Sequence, residues 1–321
     1  MITPKIKDII KDTLSIKDNQ VTIQDPDQLK NTTIDKLVHQ AVFGSKKDKQ
    51  ISRWLIWETA QKLNVRPASI NDLYMARGRE ETPLNFTVPA INLRGMTYDL
   101  ARSVFKAANK LNVGTLICEI ARSEIGYTGQ HPQEYTTVVL AAAIKEGWQG
   151  GIPIQGDHFQ AKAQQPGKPK QGEIQAIKDL TQQAINAGFF NIDIDMSTLV
   201  DLEKPTEKEQ QQGNIKYSVA LTEFIRSIEP DNITISLGGE IGHIGGKNST
   251  LEDFQAYIEG FNQKLDSSLT GMSKISVATG THHGGIVLED GSLADVPVDF
   301  QVLKNISQAF REHNIGGAVQ H

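Results

Sequence analysis

The sequence predicts an α/β protein built as a TIM (β/α)8 barrel whose eighth βα unit is missing from this chain, preceded by a helical N-terminal extension. Three observations predict it. Seven short β-prone runs recur, with starts roughly 25 to 45 residues apart, about the length of one strand–helix unit. Apolar stripes at helical spacing fill several of the intervals. Polar residues, glycines and five of the eight histidines gather directly behind the runs. Alternating strands and helices imply a parallel sheet, because right-handed crossovers return the chain to the same end. A doubly wound sheet is the second architecture that fits.

The extension covers residues 1–85. Charged and polar stretches there surround one helical block, Ile51–Asn64, whose Trp54, Leu55, Ile56 and Trp57 form a docking surface. The barrel is expected over residues 86–321. Its first run is Val88–Asn92, followed by a helical stripe of Leu100, Val104 and Leu111. The second run, Gly114–Ala121, holds the single thiol, Cys118, which reads as a buried small hydrophobe. The third run, Ile152–Gln155, leads into Gly156-Asp157-His158, and the Gln164–Lys170 stretch beyond reads as a solvated loop. Ile174, Ile177, Leu180 and Ala184 form the next stripe, with Gly188 as its stop.

The fourth run, Phe190–Asp195, ends on two carboxylates. Tyr217, Leu221, Phe224 and Ile228 form the stripe before the fifth run, Ile233–Leu237, which leads into Gly239-Glu240-Ile241-Gly242-His243. Leu251, Phe254, Ile258, Phe261 and Leu265 follow as a stripe, with Ser249 and Glu252 spaced as a capping box. The sixth run, Lys274–Thr279, precedes Gly280-Thr281-His282-His283-Gly284-Gly285, and the seventh, Gly317–Gln320, is followed by His321.

Several classes are excluded. With 27 glycines, 12 prolines and one cysteine, the chain is neither collagen-like nor a disulfide scaffold. No apolar run approaches the roughly 20 residues of a membrane span, and the first residues lack a signal-peptide core. A cytoplasmic protein without membrane attachment is therefore expected. A net charge of -5 gives no electrostatic reason to expect nucleic acid.

In a barrel, chemistry sits at the C-terminal strand ends, where the βα loops open. His158, His243, His282, His283 and His321 all fall there, as do Asp195 and Glu240. Neutral imidazoles and carboxylates converging from several strand tips make a metal site of the kind that suits Zn²⁺. The flanking glycines let backbone amides approach a phosphate or another anion. A Schiff-base lysine is not favoured, since Lys274 only opens the sixth run.

These ordered segments resemble the class II, metal-dependent fructose-bisphosphate aldolase family from Val88 to His321. The likeness is carried by Pro89-Ala-Ile-Asn92, Ser123-Glu-Ile-Gly-Tyr-Thr-Gly129, Gly156-Asp-His158, Ile194-Asp-Met-Ser197, Glu240-Ile-Gly-His-Ile-Gly-Gly246 and Gly280-Thr-His-His-Gly284. The resemblance implies His158, His283 and His321 as ligands of the catalytic metal, with Asp195 and Glu240 lining an adjacent, more buried metal position. It implies Asp157 as the group exchanging a proton with the C4 hydroxyl of a sugar. Gly284 and Gly285 fall where backbone holds a substrate phosphate, and Asn92 where a side chain faces the substrate.

The expected cofactor is Zn²⁺ or another divalent metal, with a monovalent cation as an option beside it. The expected partners are a small phosphorylated sugar and further copies of the chain, as a homodimer or higher homo-oligomer. The sequence also departs from the family. Asn248 stands where the mobile-loop Glu is expected, and Asn cannot act as a base at neutral pH. His243, absent from the common pattern, is the candidate base in its place. Gly238 replaces a frequent first Glu of a Glu-x-Glu pattern. The family continues beyond the position of His321 with a Gly-rich turn and an eighth strand, so the resemblance implies a C-terminally truncated barrel. Tagatose bisphosphate or another sugar as substrate, an isomerase or epimerase, and a non-catalytic metal-binding homologue stay open.

Overall fold

The structure is a computed structural model that describes residues 2–242, 248–279, 287–292, 294 and 298–319. The chain forms two compact units. The first comprises Met1–Ala68, Val88–Gln155 and Gln183–Phe190; the second comprises Ser69–Thr87, Gly156–Gln182 and Asn191–His321. Both units are discontinuous in sequence, and one of the breaks between them falls between Thr87 and Val88.

In the first unit, β1 (Leu14–Lys17) and β2 (Gln20–Ile23) form an antiparallel hairpin. Its two-residue turn, Asp18-Asn19, has φ of 51° and 59°. A type I′ turn needs positive φ at both central residues, and Asp and Asn tolerate it. The extension is thus not wholly helical. A further strand, β3 (Val65–Ala68), pairs in parallel with the start of β6 (Gly150–Gln160), which ties the early chain into this unit. Between them, β4 (Ala90–Asn92) and β5 (Ile117–Ala121) are parallel partners.

The core of this unit is the helix Pro132–Glu146, whose residues from Tyr135 to Ile144 are all buried. Leu55 and Ile56 of the helix Lys46–Lys62 are fully buried, while Trp54 and Trp57 stay half-buried. Cys118 is buried and unbridged, and its thiol is pushed up to about 12 by burial first and the Glu119 carboxylate second. The helix Thr97–Leu111 turns a different face inward from the expected stripe. Thr97, Ala101, Phe105 and Ala108 are buried, whereas Leu100 and Leu111 are 43% and 72% exposed. The buried set keeps the four- and three-residue spacing of one helical face, and small residues let the helix approach its neighbours.

In the second unit, β7 (Ala163–Gln165) and β8 (Lys168–Pro169) make a small antiparallel pair from the stretch read as a loop. Four strands then run in parallel: β9 (Asn191–Asp195), β10 (Ser236–Glu240), β11 (Lys274–Ser276) and β12 (Ala318–Val319). The helices Gln212–Ile228, Leu251–Lys264 and Phe300–Glu312 separate them in sequence. Parallel pairing with helical crossovers establishes an α/β fold.

The cap of the helix Leu251–Lys264 lies one residue later than expected. Thr250 Oγ1 accepts from the Asp253 amide at 3.1 Å, and the Asp253 carboxylate accepts from the Thr250 amide at 3.0 Å. Ser249 is diverted to accept from the Ala278 amide at 2.9 Å, which leaves its neighbour to cap. Glu252 is exposed.

The helix Asn71–Gly78 belongs to this unit for a backbone reason. A Cβ on Gly316 would overlap the Tyr74 carbonyl oxygen and lie 2.6 Å from its Cα, and one on Gly78 would lie 2.5 Å from the Asn314 carbonyl carbon. Backbone cannot rotate aside as a side chain can. Gly316→Ala is therefore expected to destabilise by about 1–3 kcal/mol, read as a lower urea midpoint at unchanged slope.

Candidate metal centre

Two strands end later than the apolar runs that announce them, and this places the site. β6 continues through Asp157 and His158 to Gln160, and β10 includes Glu240 as its last residue. Asp195 closes β9. His158 adopts φ of 42°, a left-handed conformation uncommon for a residue with a side chain. Such conformations persist where the surroundings over-determine them, often at functional sites.

His158, Asp195 and Glu240 each offer one ligand atom, and these atoms lie within 4.8 Å of one another. His158 Nδ1 is 3.1 Å from Asp195 Oδ2 and 4.0 Å from Glu240 Oε2. On the other side of the ring, Nε2 lies 3.6 Å from Asp157 Oδ1. Asp195 is further held by the Gln160 amide at 2.7 Å, the Ser197 hydroxyl at 2.6 Å and the Ser197 backbone amide at 3.0 Å. Glu240 is fixed through its backbone, whose carbonyl accepts from Asn214 Nδ2 at 2.8 Å. Gln211 Nε2 donates to the next carbonyl, Ile241, at 2.9 Å.

Burial alone would depress the His158 imidazole, but the Asp195 hydrogen bond and the Asp157, Asp195 and Glu240 charges together raise it to about 10. Burial works against the Asp195 carboxylate, yet His158 and Ser197 hold it below its ordinary range. Glu240 is pushed well above its ordinary range by burial first and the Asp195 charge second. Two buried carboxylates this close repel each other.

One imidazole nitrogen and two carboxylate oxygens suit a divalent ion of borderline character, and a dication would relieve that repulsion. The residues present therefore fit a metal. An imidazole ligates only when unprotonated, so protons compete with the ion. Zinc affinity is expected to fall with pH, by up to about tenfold per pH unit for each proton displaced; zinc titrations at several pH values check it. Without an ion the sign differs. A raised imidazole stabilises the folded chain fully below its ordinary value of 6.5, and that contribution is lost as pH rises through about 10.

The remaining expected site residues are placed as follows. Asn92 lies in the first unit, where its amide donates to Glu124 at 2.7 Å. His243, His283, Gly284, Gly285 and His321, and with them His282, lie outside the described residues. Gln160 was marked by no motif, since only the continuation of β6 brings it to Asp195. Asp193 and Lys274, two residues nearer the strand starts than Asp195 and Ser276, form a buried ion pair.

Fold and site together define a parallel α/β protein with a candidate divalent-metal centre at its strand ends. The family model for class-II fructose-bisphosphate aldolase matches residues 81–321, and the chain belongs to that family. Two solved structures show distant likeness. One, from Sinorhizobium meliloti 1021, is described as a tagatose 6 phosphate kinase; it is 13% identical with a TM-score of 0.49, over 73% of this chain and 57% of that one. The chain thus spans little more than half the length of that protein. The other, from Coccidioides immitis, is described as a fructose-1,6-biphosphate aldolase; it is 15% identical with a TM-score of 0.44, over 78% of this chain and 68% of that one. No curated protein matches the chain. No described helix is long and apolar enough to cross a membrane.

Proposed function

We propose that the protein is a metal-dependent aldolase, a carbon–carbon lyase that cleaves or forms a phosphorylated ketose. The simplest such reaction converts fructose 1,6-bisphosphate to dihydroxyacetone phosphate and glyceraldehyde 3-phosphate. The observation that carries this reading is the convergence of His158, Asp195 and Glu240 in a chain of the class-II family. The mixed nitrogen and oxygen donors favour Zn²⁺. In this reading the strand ends belong to a (β/α)8 barrel over residues 86–321, with His158, His283 and His321 as ligands of the catalytic metal and Asp195 and Glu240 lining an adjacent, more buried metal position.

His158, Asp195 and Glu240 would hold the divalent ion, which when bound would supply Lewis-acid polarisation of a ketone oxygen. The chain's own residues do the rest. Gln160 and Ser197 fix the Asp195 carboxylate, and the Asn214 bond fixes Glu240. Asp157, beside the His158 ring rather than among the three ligand atoms, exchanges a proton with the C4 hydroxyl, which requires hydrogen-bond reach and a suitable pKa. His243 is the candidate for the second proton, while Gly284, Gly285 and Asn92 hold the phosphate and the sugar. The protein acts in the cytoplasm as a homodimer or higher homo-oligomer.

Cleavage assays on fructose and tagatose bisphosphates, with and without a chelator, test this. Activity on one of them should vanish on chelation and return with Zn²⁺; chelator-insensitive cleavage would defeat the metal mechanism. Asn248, at the position of the loop Glu, favours one second reading, a non-catalytic metal-binding homologue. Full metal occupancy without exchange of the dihydroxyacetone phosphate α-proton would decide for it.

A further inference from the structure

The tryptophan pair of the early chain takes no part in the metal centre. Trp54 and Trp57, three residues apart on the helix Lys46–Lys62, stay half-buried and line a cavity of about 260 Å³. The residues around this cavity all belong to the first unit. Residues three apart on a helix are neighbours on one face, so the two indoles make one wall rather than opposing jaws. The Trp57 ring is also set against the turn at Gly188, where a Cβ would lie 3.4 Å from its Cζ3. A ring held in this way offers a rigid apolar surface at little cost in ordering.

The other walls are polar, and their charge is balanced. The Arg53 guanidinium lines the cavity but is engaged elsewhere: it donates to Glu134 at 2.7 Å, to the Ala41 carbonyl at 3.1 Å and to Gln133 at 3.4 Å. Glu134 meets its charge, which weakens any attraction for a phosphate or carboxylate. Gln50, Gln133 and Asn186 line the cavity from exposed positions, and an amide side chain brings both donors and an acceptor. Thr136 adds a hydroxyl that is not accounted for. It is 2% exposed, and its Oγ1 is buried without a hydrogen-bond partner among the described residues. Its neighbour Thr137 instead donates to the Gln133 carbonyl four residues back, at 2.7 Å. A helical threonine has two favoured rotamers, so a turn about Cα–Cβ is open for Oγ1 to meet a polar group in the cavity.

We propose that this cavity binds an uncharged monosaccharide, stacked on Trp54 and Trp57 and hydrogen-bonded by the surrounding amides and Thr136. The volume lies below that of sites for drug-sized ligands, which limits the occupant to about one ring. A pyranose has an apolar C–H face for a single aromatic wall and hydroxyls around its edge for amide and hydroxyl partners. A nucleobase is ordinarily held between two stacking surfaces, which one wall does not supply. The inference does not rest on the metal-centre reading, since the cavity shares no residue with that cluster.

Ligand-observed saturation-transfer NMR on the full chain tests it, with D-glucose, D-mannose, D-galactose and D-fructose as probes. A chelator present throughout keeps metal-dependent sugar binding out of the readout. At least one of these hexoses should bind saturably, with a Kd of about 1–10 mM. Trp57→Leu should weaken that binding by about tenfold or more. Thr136→Val keeps the shape and removes the unpartnered hydroxyl, so affinity should fall about threefold to tenfold while the melting temperature holds or rises. Absence of saturable binding by all four sugars overturns the proposal, as does unchanged affinity in folded Trp57→Leu. Saturable binding of adenosine in their place also overturns it, in favour of a planar base. If Trp57→Leu does not fold, Thr136→Val decides: weaker binding supports the proposal, and unchanged affinity overturns it.

Discussion

Replacing His158 by alanine is expected to empty the metal centre and to lower carbon–carbon cleavage by at least about 100-fold, since even groups that merely support metal ligands cost 10–100-fold. The reason lies in the donor set. Among the described residues His158 is the nitrogen donor of the cluster, and it touches both carboxylates, at 3.1 Å from Asp195 and 4.0 Å from Glu240. Its loss leaves Asp195 and Glu240 facing each other with neither imidazolium nor a complete ligand set. Asp157→Asn provides the contrast. It keeps the three candidate ligand atoms and removes the proton carrier of the proposed reaction, so zinc content should persist while cleavage falls by about 10²–10⁴-fold. Zinc content and cleavage rate measured on both variants separate the two roles. Loss of metal in Asp157→Asn would make Asp157 a ligand or a support of one, and retained metal in His158→Ala would remove His158 from the centre.

Phe254→Ala should produce the largest loss of stability, about 3–5 kcal/mol. Phe254 is fully buried on the inner face of the helix Leu251–Lys264. Its ring lies 4.5 Å from that of Phe310, tilted by 47°, and meets His313 edge-on at 5.7 Å. Removing the ring costs its transfer free energy and leaves a cavity between two helices that the strands already hold in place, which limits collapse. Tilted aromatic pairs add a further part beyond area. Urea unfolding followed by near-ultraviolet circular dichroism checks the value. A change below about 1 kcal/mol would mean that the two helices close over the gap.

Much of the fold was legible because a parallel strand buried on both faces leaves a short apolar run, and its crossover helix leaves a stripe. The seven expected runs each contain or overlap a strand of the structure. The misreadings have identifiable causes. Asp18-Asn19 makes a hairpin through a backbone conformation that hydrophobic patterning does not report. The helix Thr97–Leu111 buries alanines and a threonine, which a search for large apolar residues passes over. Ser249 and Thr250 both stand three residues before an acidic side chain, and only the Ala278 amide settles which of them caps the helix.

The candidate site divides in the same way. His158, Asp195 and Glu240 could be picked from the sequence because polar residues directly behind apolar runs must gather at one end of a parallel sheet. What they touch could not. Gln160 reaches Asp195 only because β6 runs on past a left-handed His158. Gly238 looked like the loss of a carboxylate, whereas in the structure it is the space occupied by the Asp193–Lys274 pair.

The sequence by itself determined the α/β class, the positions of seven strands along the chain and the family, and it marked His158, Asp195 and Glu240 among its candidate site residues. Each of these follows from local patterns, either hydrophobic period or motif order. Only the tertiary structure decided that Lys274 answers Asp193, that Gln160 and Ser197 hold Asp195, and that the helix Asn71–Gly78 belongs with the second unit. Those depend on register between strands and on close backbone approach, which bring together residues up to 242 positions apart, as with Tyr74 and Gly316. No periodicity within a segment encodes contacts of that kind.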